Sequence, residues 1–351
     1  MASRKSHHYI PQFYLRKFSL NEDGKTIGLY NHKRDLFIST TSIKHQACEK
    51  YLYGKDDEVE AILSKQESTI AIMFGRMIKH FLPPADDSIA YKILLRYILY
   101  QQSRTTKSGN DFLAGLNNAL KTAFDHFYGS DNILTDRTVV NDNATLMTLV
   151  NAEKHLFLLD FMTCKLVVNL SYLPLITSDA PVITYNQYLE KKNMNIGAHG
   201  LPAKGLQIFL PIHPRMMICI YDPAVYDFGR HEQYCMTTES EDEIHQFNVL
   251  QYLNSNSQLF FNDFITEDYV KSLHVEFADQ KSSLGPYSDF MENPDNKKLL
   301  LNANRYPLIG LASSFISIKK ESMDLKYTGN FAPVRDESLL RKPTEIDNEK
   351  L

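Results

Sequence analysis

The spacing of apolar residues changes twice along this chain, and those changes limit its fold more than any other feature. Between residues 56 and 81 the apolar side chains fall at Val59, Ile62, Leu63, Ile70, Met73, Phe74 and Met77. Steps of three and four put them on one face of a helix, and Pro83-Pro84 stops it. Before this helix, residues 7–55 read as short strands and turns. Tyr9-Ile10-Pro11, Phe13-Tyr14-Leu15, residues 26–30 and residues 36–40 are aromatic or β-branched runs separated by polar turns around Asn21–Gly24 and Asn31–Asp35. After it, the spacing predicts helices over 87–103, 111–127 (closed by Gly129) and 143–160. The second half turns to β-type runs at 165–170, 182–185, 205–210, 216–221 and 258–261, with one helix at 239–253. The expected class is α+β: an N-terminal β-hairpin element, a helical middle, and a mixed or antiparallel sheet in the second half.

At 351 residues, and roughly 150 residues per domain, the chain can form one elaborated domain or two, with a core that needs no disulfide or metal to hold it. The formal net charge of −4 excludes a wholly basic nucleic-acid coat but leaves room for a local basic groove. The four cysteines, Cys48, Cys164, Cys219 and Cys235, form no CxxC and have no His at zinc-finger spacing. They read as reduced thiols of a cytoplasmic protein. Met1–Ser6 lacks the apolar region of a secretory signal. The most apolar stretch, 155–177, is interrupted by Asp160, Lys165 and Asn169, so no membrane span is expected. Residues 320–351 hold scattered apolar positions among many charges and read as a tail.

Four constellations carry chemistry. The first is a His pair, His7-His8, before a rigid X-Pro step and an aromatic run; an imidazole there suits acid/base work or capping of an aromatic core. The second is Gln101-Gln102-Ser103-Arg104-Thr105 at a helix end. Arg104 would either answer the helix dipole or fork onto a phosphate or carboxylate. In the third, Ser178-Asp179-Ala180-Pro181, Asp179 at a strand end is either a site carboxylate or the acceptor of an Asx-turn. The fourth pairs Asp179 with Glu190-Lys191-Lys192, the layout of a PD-(D/E)xK metal nuclease, although 188–192 reads as a solvated polar loop. Glu60 and Glu67 share a face of the first helix, where one could turn inward. P-loop, GxGxxG, GxSxG and HExxH motifs are all missing from the sequence.

These residues resemble the DUF4238 family, a group named for its unknown function. The run His8-Tyr9-Ile10-Pro11-Gln12-Phe13-Tyr14-Leu15-Arg16-Lys17-Phe18 is similar to the family's opening signature. Tyr51-Leu52-Tyr53, Glu67, the Gln101/Gln102-Ser103-Arg104-Thr105 step, Ser178-Asp179-Ala180-Pro181, Leu210–Pro214 and Asn248 follow in the family's order, over roughly residues 7–262. The resemblance implies a single α+β domain over 1–275, divided at 7–55, 56–160 and 161–275, with a C-terminal extension over 276–351. It implies no established substrate, and family members look like companions of mobile and defence-type gene sets.

The expected function is therefore a phosphodiester-directed enzyme, a nuclease-like hydrolase in an antiviral defence or toxin setting. His8 would act as acid/base and Arg104 as phosphate clamp. Asp179 and Glu67 would be catalytic carboxylates and ligands of Mg²⁺ or Mn²⁺, while Gln101, Gln102, Ser178 and Asn248 would bind substrate. The expected partners are RNA or DNA and a protein from a defence gene set, with no membrane and with homo-oligomers allowed. The alternative is a non-catalytic ligand-sensing or protein-interaction module built on the same polar cluster.

Overall fold

The structure is a computed structural model that describes residues 6–54, 58–129, 139–141, 143–194, 196–230, 233–292, 298–324 and 332–340. In chain order the strands and helices of the first half are β1 (Ser6–His8), α1 (Gln12–Leu15), β2 (Thr26–Asn31), β3 (Leu36–Ser42), β4 (Cys48–Lys50), α2 (Glu58–His80), α3 (Ile89–Ser103), α4 (Thr106–Tyr128) and α5 (Ala144–Lys154). The second half adds β5 (Thr163–Asn169), β6 (Thr177–Ser178), β7 (Ile183–Tyr185), α6 (Gln187–Glu190), β8 (Gln207–His213), β9 (Met216–Tyr221), β10 (Tyr226–Phe228) and β11 (Cys235–Thr238). It closes with α7 (Glu241–Asn254), β12 (Gln258–Phe261), α8 (Glu267–Ser282), β13 (Gly285–Glu292), β14 (Lys298–Arg305), β15 (Ile316–Ile318) and α9 (Lys320–Asp324). The class is α+β.

The centre is a five-stranded sheet in the order β11-β5-β9-β8-β7, antiparallel except for the β11–β5 pair. Its inner strands β5, β9 and β8 are buried on both faces, so they read as nearly continuous apolar runs. Leu166, Ile208, Leu210, Ile218 and Ile220 face the core shared with α2, α3 and the N-terminal aromatic run. The alternate residues Val167, Phe209, Met217 and Cys219 face α7 through Ile244, Phe247 and Leu250. The opposite side of α7, with Val249, Tyr252 and Leu253, packs on a second sheet and on Val270 and Leu273 of α8. A helix with apolar residues all round belongs between two layers.

That second sheet has the antiparallel order β3-β2-β12-β6. The β2–β12 contact needs Gly28, because a Cβ there would lie 2.4 Å from the Phe261 ring. The segment after Pro11 differs from the extended run its aromatics predict. Pro11 keeps an extended conformation but serves as N-cap, and Gln12–Leu15 form a helical turn that buries Tyr14 and Leu15. Proline is at home before a first turn. Helix α8 and the β13–β14 hairpin extend the fold past the region where the sequence shows regular patterning.

Residues 188–192 are not a solvated loop. Tyr188 and Leu189 are buried, and Glu190 accepts from the Tyr185 hydroxyl at 2.6 Å and from the Gly310 N–H at 2.7 Å. Within the expected tail, residues 320–324 form α9 and the described segment 332–340 is tied down. The Arg335 guanidinium donates to the carbonyls of Leu158, Asp160, Leu201 and Ala203, linking the helical part to the β-rich part. The remainder of that tail, 325–331 and 341–351, lies outside the described residues.

Candidate functional site

Helix α3 ends at Arg104, and Thr105 caps α4 by accepting from the Ser108 N–H at 3.2 Å. So tight a corner divides its residues between two directions. Arg104 turns inward, while Gln101, Gln102, Ser103, Thr105 and Lys107 line a cavity of about 740 Å³ between α3, α4 and α5 on one side and the β-rich part on the other. The far wall comes from the His199–Leu201 loop, the end of α7 at Asn254–Asn256, Lys281 at the end of α8, and the Asn302–Pro307 segment.

Arg104 is 2% exposed. It donates to the Tyr53 hydroxyl at 3.2 Å, to Glu67 at 2.7 Å and to the His8 carbonyl. Burial alone would push the guanidinium down, but Tyr53 and Glu67 more than offset it and the net shift is up. Gln101 donates to the Tyr9 carbonyl at 2.9 Å. The His8 ring donates from Nε2 to the Lys44 carbonyl at 3.1 Å. Its neighbour His7 is the buried member of the pair; it stacks on Tyr53 and accepts the Tyr53 N–H on Nδ1 at 3.2 Å. The opening motif, Glu67 and Arg104 thus form one knot that ties β1 to α2 and α3.

Asp179 lies in a second knot and is completely buried. Its oxygens accept from Asn256 N at 2.7 Å, Ser257 N at 2.8 Å, Ser257 Oγ at 3.0 Å and Gln258 N at 3.0 Å. Burial pushes its carboxyl up from the ordinary range, and the Asn256 and Ser257 bonds and the Lys281 charge pull it back. Ser178 donates to Gln251 at 2.8 Å. Asn248 accepts from Ile176 N at 2.9 Å and donates to the Pro174 carbonyl at 2.9 Å, fixing the approach to β6 against α7. The structure brings together Glu67, Arg104 and the His8 backbone, while the oxygens of Asp179 are turned to the 256–258 turn.

Asp179 and Glu67 do not fit a shared divalent ion. Hydrogens of the 256–258 turn already point at both oxygens of Asp179, and Arg104 takes Glu67. Among the described residues, no three His, Cys, Asp or Glu side chains gather as a metal would require.

The charged groups and histidines of the cavity come from residues that the motifs pass over. Three cations, Lys107, Lys281 and Arg305, border it against one carboxylate, Asp111, which pairs with Lys107. Lys281 donates to the carbonyls of Tyr252, Leu253 and Ser255 and so caps α7. Burial pushes its ammonium down to about 7, while Asp179 pulls it back up. His155 lines the cavity and donates from Nδ1 to the Asn151 carbonyl at 2.8 Å, which leaves Nε2 as the nitrogen with a lone pair. His199 also lines the cavity, and its ring lies flat on Tyr306 at 4.0 Å. Lys107 stands two residues past the Arg-Thr step, so following that motif onto the next helix would have found it. Lys281, His199 and Arg305 carry no local signal.

Fold and site define an α+β protein with a polar, cation-bordered cavity between a helical layer and two sheets. The model of the DUF4238 family, described as a protein of unknown function, matches residues 6–264, and the chain belongs to that family. No curated protein and no solved structure matches it. No helix among the described residues is long and apolar enough to cross a membrane.

Proposed function

We propose that this protein is a phosphodiester-directed enzyme whose phosphate-bearing ligand occupies the cavity beside the Gln101–Thr105 corner. The observation that carries the reading is the charge of that cavity, where Lys107 and Arg305 meet a single carboxylate, Asp111, and Lys281 stands in the wall as the cap of α7. Cations in a partly desolvated hollow favour an anion far more than they would in water. The amides and hydroxyls of Gln102, Ser103 and Asn256 supply neutral partners for its remaining oxygens. In this reading His155, held through Nδ1, takes or returns a proton at Nε2, and Arg104 and Asp179 shape the walls.

The test is incubation of the full chain with tRNA, single-stranded and duplex nucleic acids and free nucleotides, with and without Mg²⁺ or Mn²⁺. Lys107→Ala and His155→Ala are run alongside. The reading expects turnover that His155→Ala abolishes while binding survives, and weaker binding in Lys107→Ala. Turnover unaffected by both substitutions would overturn the placement. A second reading, a non-catalytic sensor of the same ligand, is favoured by the engagement of Arg104, Ser178, Asp179 and Asn248 in the scaffold. Saturable binding without turnover would select it.

A further inference from the structure

A second cavity, of about 360 Å³, adjoins the first. Its volume falls within the range of about 300–1,000 Å³ usual for small-molecule sites. Asn256 lines both cavities, and its amide is taken up by Lys33 at 3.1 Å and Thr106 at 3.4 Å. The walls of the second cavity come from Tyr9 of the opening motif, from Glu49 and from the starts of α4 and α5.

Two hydroxyls in these walls are unspent. Tyr9 is 8% exposed and Thr145 is 6% exposed. Neither hydroxyl has a hydrogen-bond partner among the described residues, and neither is sealed from solvent. Thr106 opens α4, and Ala144 and Thr145 open α5. Helix starts leave backbone N–H groups without helical partners, and at α5 the N-cap Asn143 supplies no side-chain bond. The two starts approach each other at Gly109, where a Cβ would lie 2.4 Å from Thr145 Oγ1. Glu49 is the one charged side chain among the lining residues, and no described cation pairs with it.

These groups decide what charge a ligand can carry. The N-terminal ends of two helices are partly positive and disfavour a cation. Glu49, with Asp179 held by the 256–258 turn, disfavours an anion. Burial first, then Asp179 and Glu49, push the Tyr9 hydroxyl up, so it keeps its proton. A neutral ligand is left, and it must answer donors and acceptors set around one small hollow. A hydroxyl group donates and accepts at once, so several hydroxyls on one ring meet both demands. We infer that this second cavity is a sugar site, in which one ring hydroxyl donates to Glu49 and its neighbours bond to Tyr9, Asn110 and the starts of α4 and α5. The site stands apart from the phosphate reading of the first cavity. The ring arrives either as a free sugar or as the ribose of a nucleoside.

The test is an NMR saturation-transfer titration of the full chain with methyl β-ribofuranoside, methyl glucoside, uridine, inorganic phosphate and n-butylammonium chloride at constant ionic strength. At least one of the three sugar-bearing probes is expected to bind saturably. Glu49→Gln, at an exposed position, should weaken that probe about tenfold. Tyr9→Phe keeps the ring and removes the hydroxyl, and should weaken it about threefold. Tighter binding of uridine than of the methyl riboside assigns the nucleoside as the source, and equal binding assigns the sugar alone. No binding by any sugar-bearing probe overturns the inference. Sugar binding that Glu49→Gln leaves unchanged, or binding of phosphate or butylammonium alone, overturns it as well.

Discussion

Replacing Asp179 with alanine separates a scaffold carboxylate from a catalytic one. The side chain accepts three backbone N–H groups and one hydroxyl from the turn 256–258. Its removal orphans donors that lie against a completely buried side chain. Each orphaned group costs about 1–3 kcal/mol, less whatever entering water recovers, so the net loss should be about 3–5 kcal/mol, the usual range for breaking a buried charged contact. Over 351 residues, an unfolding entropy of about 2.1 cal/mol/K per residue makes 1 kcal/mol worth about 1.4 °C in Tm if unfolding is cooperative. Differential scanning calorimetry at pH 7.5 should therefore show Tm falling by about 4–7 °C. Asp179→Asn, which keeps one acceptor oxygen, should fall between the two. The damage should spread to Lys281, which caps α7 one residue before this turn. A Tm unchanged within about 1 °C, together with lost ligand binding or turnover, would refute the scaffold account and return Asp179 to the site.

Three further outcomes follow from the same geometry. Arg104→Met should cost about 3–5 kcal/mol because it strands Glu67 and the His8 carbonyl, and adding Glu67→Gln should recover part of that loss; a double-mutant cycle in urea measures the coupling. Gly109→Ala should lower stability by about 1–3 kcal/mol despite alanine's better helix propensity, since its Cβ would lie 2.4 Å from Thr145 Oγ1 and 2.9 Å from Thr145 N; a rise in Tm would mean that α4 and α5 do not cross there. Burial pushes both His199 and His32 down to about 3 from 6.5. The unfolded chain therefore takes up the proton first, and stability is full above about pH 6.5 and falls as the pH drops below it. At pH 5.5 each histidine accounts for about 1.4 kcal/mol of the loss, and His199→Phe should narrow the gap in Tm between pH 7.5 and pH 5.5.

Elements with strong local spacing were legible in the sequence. Helix α2, strand β9 and strand β12 stand where periodicity puts them, because their apolar faces meet the core directly. The turn at Gln12–Leu15 was not legible, since tertiary burial of Tyr14 and Leu15 overrides a run of β-prone aromatics. Helix α8 buries only Val270 and Leu273 completely, too thin a stripe to stand out among its charges. The motif residues were found, but sequence alone could not say whether Arg104 and Asp179 face a ligand or the scaffold. That choice depends on Tyr53, Glu67 and the 256–258 turn, all distant in the chain. The cavity was harder still to foresee. Its cations come from α4, from the end of α8 and from β14, and each alone reads as an ordinary surface charge.

The proposed function depends most on an anion being held at Lys107 and Arg305. Calorimetric titration of AMP into the full chain, compared with Lys107→Ala at two salt concentrations, tests it directly. We expect one saturable site, weakened about tenfold by the substitution, or about 1.4 kcal/mol, and weakened by added salt in the unaltered protein more than in the variant. Identical isotherms for the two proteins, with both folded to the same Tm, would contradict the claim.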